Sequence, residues 1–183
     1  MAYLECSTLD AQAAQASNAT PPREGGAFRL AMRELASGVA LITTEHGGER
    51  MGCTATSLCS LSLDPPSLIV CIDLKSSTLA ALRAAKIFGV NILAADHEDC
   101  ADRFAGRTGL KGTARFAGAD WMTLVTGAPM LRDALASIDC VVEETLERHT
   151  HAIVIGRVLA VHRSDAAPAL VHWRGQFATL GAG

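Results

Sequence analysis

The sequence predicts a mainly β domain with flanking helices. Three observations lead there. Aliphatic runs rich in Val and Ile recur at residues 39–44, 68–72, 87–93 and 151–161, each of strand length. Turn signals separate them, notably Glu45-His46-Gly47-Gly48-Glu49 and Asp64-Pro65-Pro66. Helical signals are confined to residues 28–35, 79–85 and 96–105. Aromatic residues make up only 4 % of the chain, so the core must be aliphatic.

The elements follow in order. Residues 1–26 are rich in Ala, Ser, Gln, Thr, Pro and Gly without a sustained period, and read as a tail or surface arm. Phe28, Ala31, Met32 and Leu35 recur at helical spacing and form one apolar face, with Gly38 as its stop. Residues 39–44 are a strand, and the turn after it leaves His46 in solvent. Residues 52–60 read as a strand that Asp64-Pro65-Pro66 stops, since neither proline can donate to a ladder. Residues 68–72 resume as a strand covered on both faces. A helix spans 79–85, a strand 87–93 and a polar helix 96–105, on which His97 is expected to be solvated. Residues 109–112 are a Gly-rich loop, and Phe116 and Trp121 are expected against the core. Strands at 136–147, 151–161 and 169–173 complete the chain. Gly156 marks a bulge or a close backbone approach in the long strand.

Composition narrows the function. The chain has 183 residues and a formal charge of −3, with no cluster of Lys and Arg for a nucleic acid. No apolar run approaches the roughly 20 residues that span a bilayer. The N-terminus has no basic segment followed by an apolar one, so no signal peptide is expected. Six cysteines, none in a C-x-x-C pair, are expected as buried free thiols, which suits a cytoplasmic protein.

Three polar stretches invite chemistry. Cys53, Thr54, Thr56, Ser57, Cys59 and Ser60 gather small hydroxyl and thiol side chains along a strand. They fit either the core hairpin of any all-β domain or a strand edge that lets a planar, phosphorylated ligand approach the backbone. Ser76, Ser77 and Thr78 precede a helix, where they can cap it, seat an anion on its free N–H groups, or do both. A third cluster is His149-Thr150-His151. Two histidines at i and i+2 on a strand share a face, but no third metal ligand lies close in sequence. Asn91 interrupts an apolar strand and suits a satisfied structural residue. No nucleophile elbow, Walker loop or G-x-G-x-x-G fingerprint is present.

The stretch Thr54-Ala55-Thr56-Ser57-Leu58-Cys59-Ser60-Leu61-Ser62-Leu63-Asp64-Pro65-Pro66-Ser67-Leu68 resembles the signature of the flavin reductase-like family, the small reductase components of two-component flavin monooxygenases. Phe28-Arg29-Leu30-Ala31-Met32 and Ile42-Thr43-Thr44 resemble the family's opening, and the resemblance runs over residues 28–180. It implies an antiparallel Greek-key FMN-binding split barrel over residues 27–181, following the arm of residues 1–26.

The same resemblance implies an NAD(P)H:flavin oxidoreductase. Such an enzyme would reduce FMN, or FAD, with NADH or NADPH, and supply reduced flavin to a partner monooxygenase. Thr54, Ala55, Thr56 and Ser57 would line the flavin. Asp73, Ser76, Ser77 and Thr78 would lie at its phosphate, and Asn91 at its ring or ribityl chain. Phe104 belongs to the family's Phe-Ala-Gly, after which a basic residue nears the phosphates; Arg107, Lys111 and Arg115 are candidates, with Lys111 favoured. His151, matching the family's Thr-His, would position nicotinamide. His149 stands where the family has glycine, and Phe177 where others have tyrosine. A homodimer is implied. The alternative is a flavin-binding carrier or sensor module without reductase turnover.

Overall fold

A computed structural model describes residues 25–164 and 167–181. The chain divides between Glu34 and Leu35 into two units. Of the first, the described part is helix α1 (Gly25–Arg33), none of whose residues is buried. The periodic apolar face is real, but it lies exposed, with Phe28 at 70 % accessibility. The helix stops before Gly38, which belongs instead to strand β1 (Ser37–Gly38). Most of the expected arm lies outside the described residues.

The second unit is built on a seven-stranded, fully antiparallel sheet in the order β3-β2-β6-β9-β10-β5-β4. Its strands are β2 (Ala40–His46), β3 (Glu49–Ala55), β4 (Leu58–Leu63), β5 (Pro66–Asp73), β6 (Ile87–Ile92), β9 (Ala136–Arg148) and β10 (His151–Arg163). Helix α2 (Ser77–Ala85) joins β5 to β6, and helix α3 (Glu98–Phe104) follows β6 after a 3-10 turn. β1 pairs with β11 (Ala169–Trp173) and β11 with β12 (Gln176–Leu180) in a smaller sheet. β7 (Trp121–Met122) and β8 (Met130–Leu131) form a short ribbon.

The expected strand over 52–60 is in fact two. β3 ends at Ala55 and pairs with β2, whereas β4 begins at Leu58 and pairs with β5. The break at Thr56-Ser57 lets one polar stretch serve both edges of the sheet. β4 turns at Asp64-Pro65, and Pro66 opens β5, a strand position where its missing N–H is tolerated.

β2 is buried on both faces because a core lies on each side. Ala40 and Ile42 join Val70, Ile72, Leu79, Leu82, Phe88, Val90 and Val154 on one side. Leu41 joins Val39, Leu93, Ala101, Phe104, Phe116 and Leu131 on the other. Gly156 meets its expectation twice. The β9–β10 register shifts between Ile155 and Gly156, and a Cβ there would lie 2.3 Å from Cζ of Phe88. Phe116 is buried, and Trp121 packs beside it while its indole donates to the Phe116 carbonyl at 2.8 Å.

Two expectations fail here. His97 is not solvated: it is 9 % exposed, its Nδ1 accepts the Ala94 N–H at 3.2 Å, and Nε2 lies 3.3 Å from Asp133. A short 3-10 turn over Ala95–His97 tucks the ring inward, which polarity alone does not reveal. Of the described cysteines, all free, Cys100 and Cys140 are buried but Cys59 is exposed on β4. Cys6 lies outside the described residues.

Candidate functional site

The hydroxyl-rich segment after β5 and the turn between β9 and β10 meet at one end of the sheet. β10 runs antiparallel to β5 with His151 paired to Asp73 and Ala152 to Ile72. The Leu74 N–H donates to the Thr150 carbonyl at 3.0 Å, which carries the pairing past the strand end. Asp73 then makes a tight turn: its Oδ1 accepts the Lys75 N–H at 2.7 Å, and its carbonyl accepts the Ser76 N–H at 2.9 Å. That turn delivers Ser76 in extended conformation to the start of α2.

Ser76 makes no side-chain cap of α2. The first-turn N–H groups of a helix have no intrahelical partner, and they carry the positive end of its dipole. Ser77 is exposed beside them, while Thr78 is 1 % exposed and faces the core. Lys75 is exposed on the same turn. An uncapped start with hydroxyls and a lysine around it fits a phosphate group. His151 is also exposed, and its Nδ1 lies 2.8 Å from Thr150 Oγ1. That contact engages Nδ1 of the ring. His149 sits in the turn at φ +54° rather than on the strand, so it does not share a face with His151.

Strand β3 approaches the same helix start. Burial pushes the Cys53 thiol up to about 11, partly offset by the hydroxyls of Thr78 and Ser76 and by the Arg115 charge. Thr56 and Ser57 are exposed in the break between β3 and β4. Ser57 bridges to β5: its hydroxyl donates to the Cys71 carbonyl at 2.8 Å and accepts the Cys71 N–H at 3.2 Å.

Several predicted ligand residues are placed elsewhere. Thr54 donates its hydroxyl to the Ala101 carbonyl at 2.6 Å, tying β3 to α3, and Ala55 is packed in the core. Asn91 lies inside the fold. It is fully buried, and its amide donates to Leu41 O and Thr43 Oγ1 while its oxygen accepts from Leu131 N–H and Ser137 Oγ. All four bonds of that amide lie inside the fold. Phe104 is also a core residue, 1 % exposed, edge-on to Phe116 with centroids 4.9 Å apart. Gly52 gives its ring room, because a Cβ there would lie 2.5 Å from Cε1.

The three basic candidates separate clearly. Arg107 is paired to Asp102 at 2.6 Å and lies over the Phe177 ring. Arg115 bonds to carbonyl groups. Lys111 is exposed at the Gly-rich loop. The proximity of Cys53 to Ser76 and Thr78 was not anticipated. Alternation along β3 was the available signal, since it turns Cys53 and Ala55 away from the face of Gly52 and Thr54.

The fold and this cluster define a mainly antiparallel β protein with an uncapped helix start and an exposed histidine at one end of the β5–β10 pair. The chain belongs to the flavin reductase-like family, whose domain it matches over residues 32–181. It is 43 % identical over 146 residues to an "FMN reductase (NADH) RutF 2" of Methylorubrum extorquens, covering 80 % of this chain and 84 % of the relative. A putative flavin reductase of Haemophilus somnus superposes with a TM-score of 0.82 at 35 % identity, over 86 % of this chain and 99 % of that one. BorF, the flavin reductase component of a bacterial two-component tryptophan halogenase, superposes with a TM-score of 0.80 at 33 % identity, over 86 % of this chain and 98 % of that one.

Proposed function

We propose that the protein is an NADH-dependent FMN reductase that releases reduced flavin to a separate flavin-dependent monooxygenase. The observation that carries this reading is the convergence of the uncapped start of α2 with His151 at one end of the β5–β10 pair. The FMN phosphate is held by the first-turn N–H groups of α2, by Ser76 and Ser77, and by Lys75 and Lys111. Thr56 and Ser57 border the flavin from the break between β3 and β4. The cofactors supply the chemistry, a hydride passing from the nicotinamide to the flavin. The protein orients them: His151 Nε2 hydrogen-bonds the nicotinamide end and sets its approach.

In this reading the domain over residues 27–181 is a Greek-key split barrel preceded by an arm of residues 1–26. The register shifts in β9–β10 and β4–β5 supply the bends such a barrel needs. A homodimer accompanies it. An open apolar groove lined by Leu58, Leu63, Leu68, Ile138, Val158 and Val161 gives a second copy a surface to cover, with Leu63 88 % exposed. Among the described residues no helix is long and apolar enough to cross a membrane. We place the reaction in the cytoplasm, where the free thiols stay reduced.

Oxidation of NADH and NADPH by the purified protein, with FMN or FAD added in turn, tests the reading. Turnover that needs added flavin and is fastest with NADH and FMN is expected. Flavin binding without bleaching by either nucleotide under anaerobic conditions would leave a carrier instead.

A further inference from the structure

Arg115 stands between two parts of the proposed site. Its Nε donates to the Leu110 carbonyl at 2.9 Å, and its Nη1 to the Gly52 carbonyl at 3.2 Å. A longer contact of 3.5 Å reaches the Phe104 carbonyl. Leu110 immediately precedes Lys111, Gly52 immediately precedes Cys53, and Phe104 is the last residue of α3. One guanidinium therefore ties the Gly-rich loop to strand β3 and to a helix end. Cys53 lies near the Ser76 and Thr78 hydroxyls and within reach of the Arg115 charge, on the side of β3 toward the start of α2.

The loop needs such a tie. Residues 105–111 are all exposed, and beyond the Arg107–Asp102 pair and the Arg107–Phe177 contact little packing restrains them. Gly106, Gly109 and Gly112 take φ of +81°, +77° and +51°, a backbone region that glycine adopts without strain. Ordering a chain of this kind costs conformational entropy at every residue. A planar guanidinium has donors on several edges and can reach carbonyls lying in different directions, whereas a lysine ammonium is a compact point charge.

We propose that Arg115 is a positioning residue that holds the Lys111 loop against β3, so that Lys111 meets the FMN phosphate without a further ordering cost. The inference rests on the flavin-reductase reading above. Arg115 acts through the loop backbone and need not touch the flavin.

The test compares wild type with Arg115→Lys and Arg115→Ala by three measurements: amide hydrogen exchange in the ligand-free protein, FMN affinity by quenching of flavin fluorescence, and steady-state kinetics with varied FMN. Exchange over residues 105–112 should accelerate in both variants while that of β9 and β10 does not change. The dissociation constant and KM for FMN should rise about tenfold in both, the scale of a lost preorganisation, with kcat within about twofold. If Arg115→Ala does not fold, Arg115→Lys carries the test alone. Wild-type affinity in Arg115→Lys would overturn the proposal, because charge alone would then suffice. Unchanged loop exchange, or faster exchange with unchanged FMN affinity, would also overturn it. A wild-type protein that fails to reduce FMN would sink the reductase reading instead, and the exchange data would still report on the loop.

Discussion

His151 and Asp73 are direct cross-strand partners at the end of the β10–β5 ladder. They lie 78 positions apart in sequence, and their pairing sets the turn that starts α2 beside an exposed imidazole. The hydrogen bond from Leu74 N–H to Thr150 O, at 3.0 Å, fixes this arrangement one step beyond the strands. An exposed histidine and an uncapped helix start thus share one backbone frame.

Replacing His151 with alanine should lower kcat/KM for NADH about tenfold, the effect of losing one hydrogen bond of roughly 1.4 kcal/mol. Flavin affinity should stay within about twofold. Steady-state kinetics with varied NADH would settle this, and an unchanged Michaelis constant together with unchanged turnover would remove the role given to His151.

An acidic side chain at the start of α2 should repel a phosphate while leaving the helix intact, since carboxylates are favoured at helix N-termini. Ser77→Asp is therefore expected to weaken FMN binding by about tenfold or more, with riboflavin, which lacks the phosphate, affected less than about twofold. Fluorescence titration of the two flavins makes the comparison. Equal losses for both would place the phosphate elsewhere.

Asn91→Leu should strand the Leu131 N–H, which now donates to the amide oxygen, and should take one bond each from the Ser137 hydroxyl, left with the Leu131 carbonyl, and from the Leu41 carbonyl. Leaving buried groups unpaired should destabilise the fold by at least about 2 kcal/mol, a drop of several degrees in Tm for a domain of this size. FMN affinity of the folded fraction should change little. A large loss of affinity with unchanged Tm would return Asn91 to the flavin site.

Alkaline pH should destabilise the fold through two thiols. Burial holds Cys53 up at about 11 and Cys140 up at about 12, well above the unfolded value near 9. The unfolded chain therefore loses these protons first, so the stability they contribute is complete below about pH 9. It falls as pH rises through the folded values. Urea midpoints measured from pH 8 to pH 10.5 should decline, and Cys140→Ala should flatten the decline. An identical slope in that variant would exclude Cys140 as a source.

Much of this fold was legible in the chain. Aliphatic runs marked β2, β5, β6 and β10, because stretches of strand length rich in Val and Ile favour the pleated backbone, and β2 and β6, buried along most of their length, must be apolar there. Gly156 was legible as a close approach, although not that Phe88 is what approaches. β12 was missed as a strand: its segment, Gln176–Leu180, is largely exposed and takes its order from pairing with β11. The single strand expected over 52–60 failed because β-branched and hydroxyl residues continue through the break at Thr56-Ser57. Only the choice of partners, β2 for one half and β5 for the other, ends one strand and begins the next.

The candidate site divides in the same way. The sequence by itself determined the family, the mainly β architecture and the hydroxyl-rich start of α2, because these depend on residue type and local spacing. Folding in three dimensions sorted the polar residues into those enclosed in the core and those left exposed. Asn91 and Phe104 carry the same chemistry wherever they sit, yet the fold encloses both, one within four hydrogen bonds and the other among aromatic rings. His151 comes beside Asp73, and Arg115 beside Gly52, through antiparallel pairing and chain crossings that no local pattern encodes. Burial and hydrogen-bond satisfaction are properties of the assembled fold, so the role of a polar side chain is settled there.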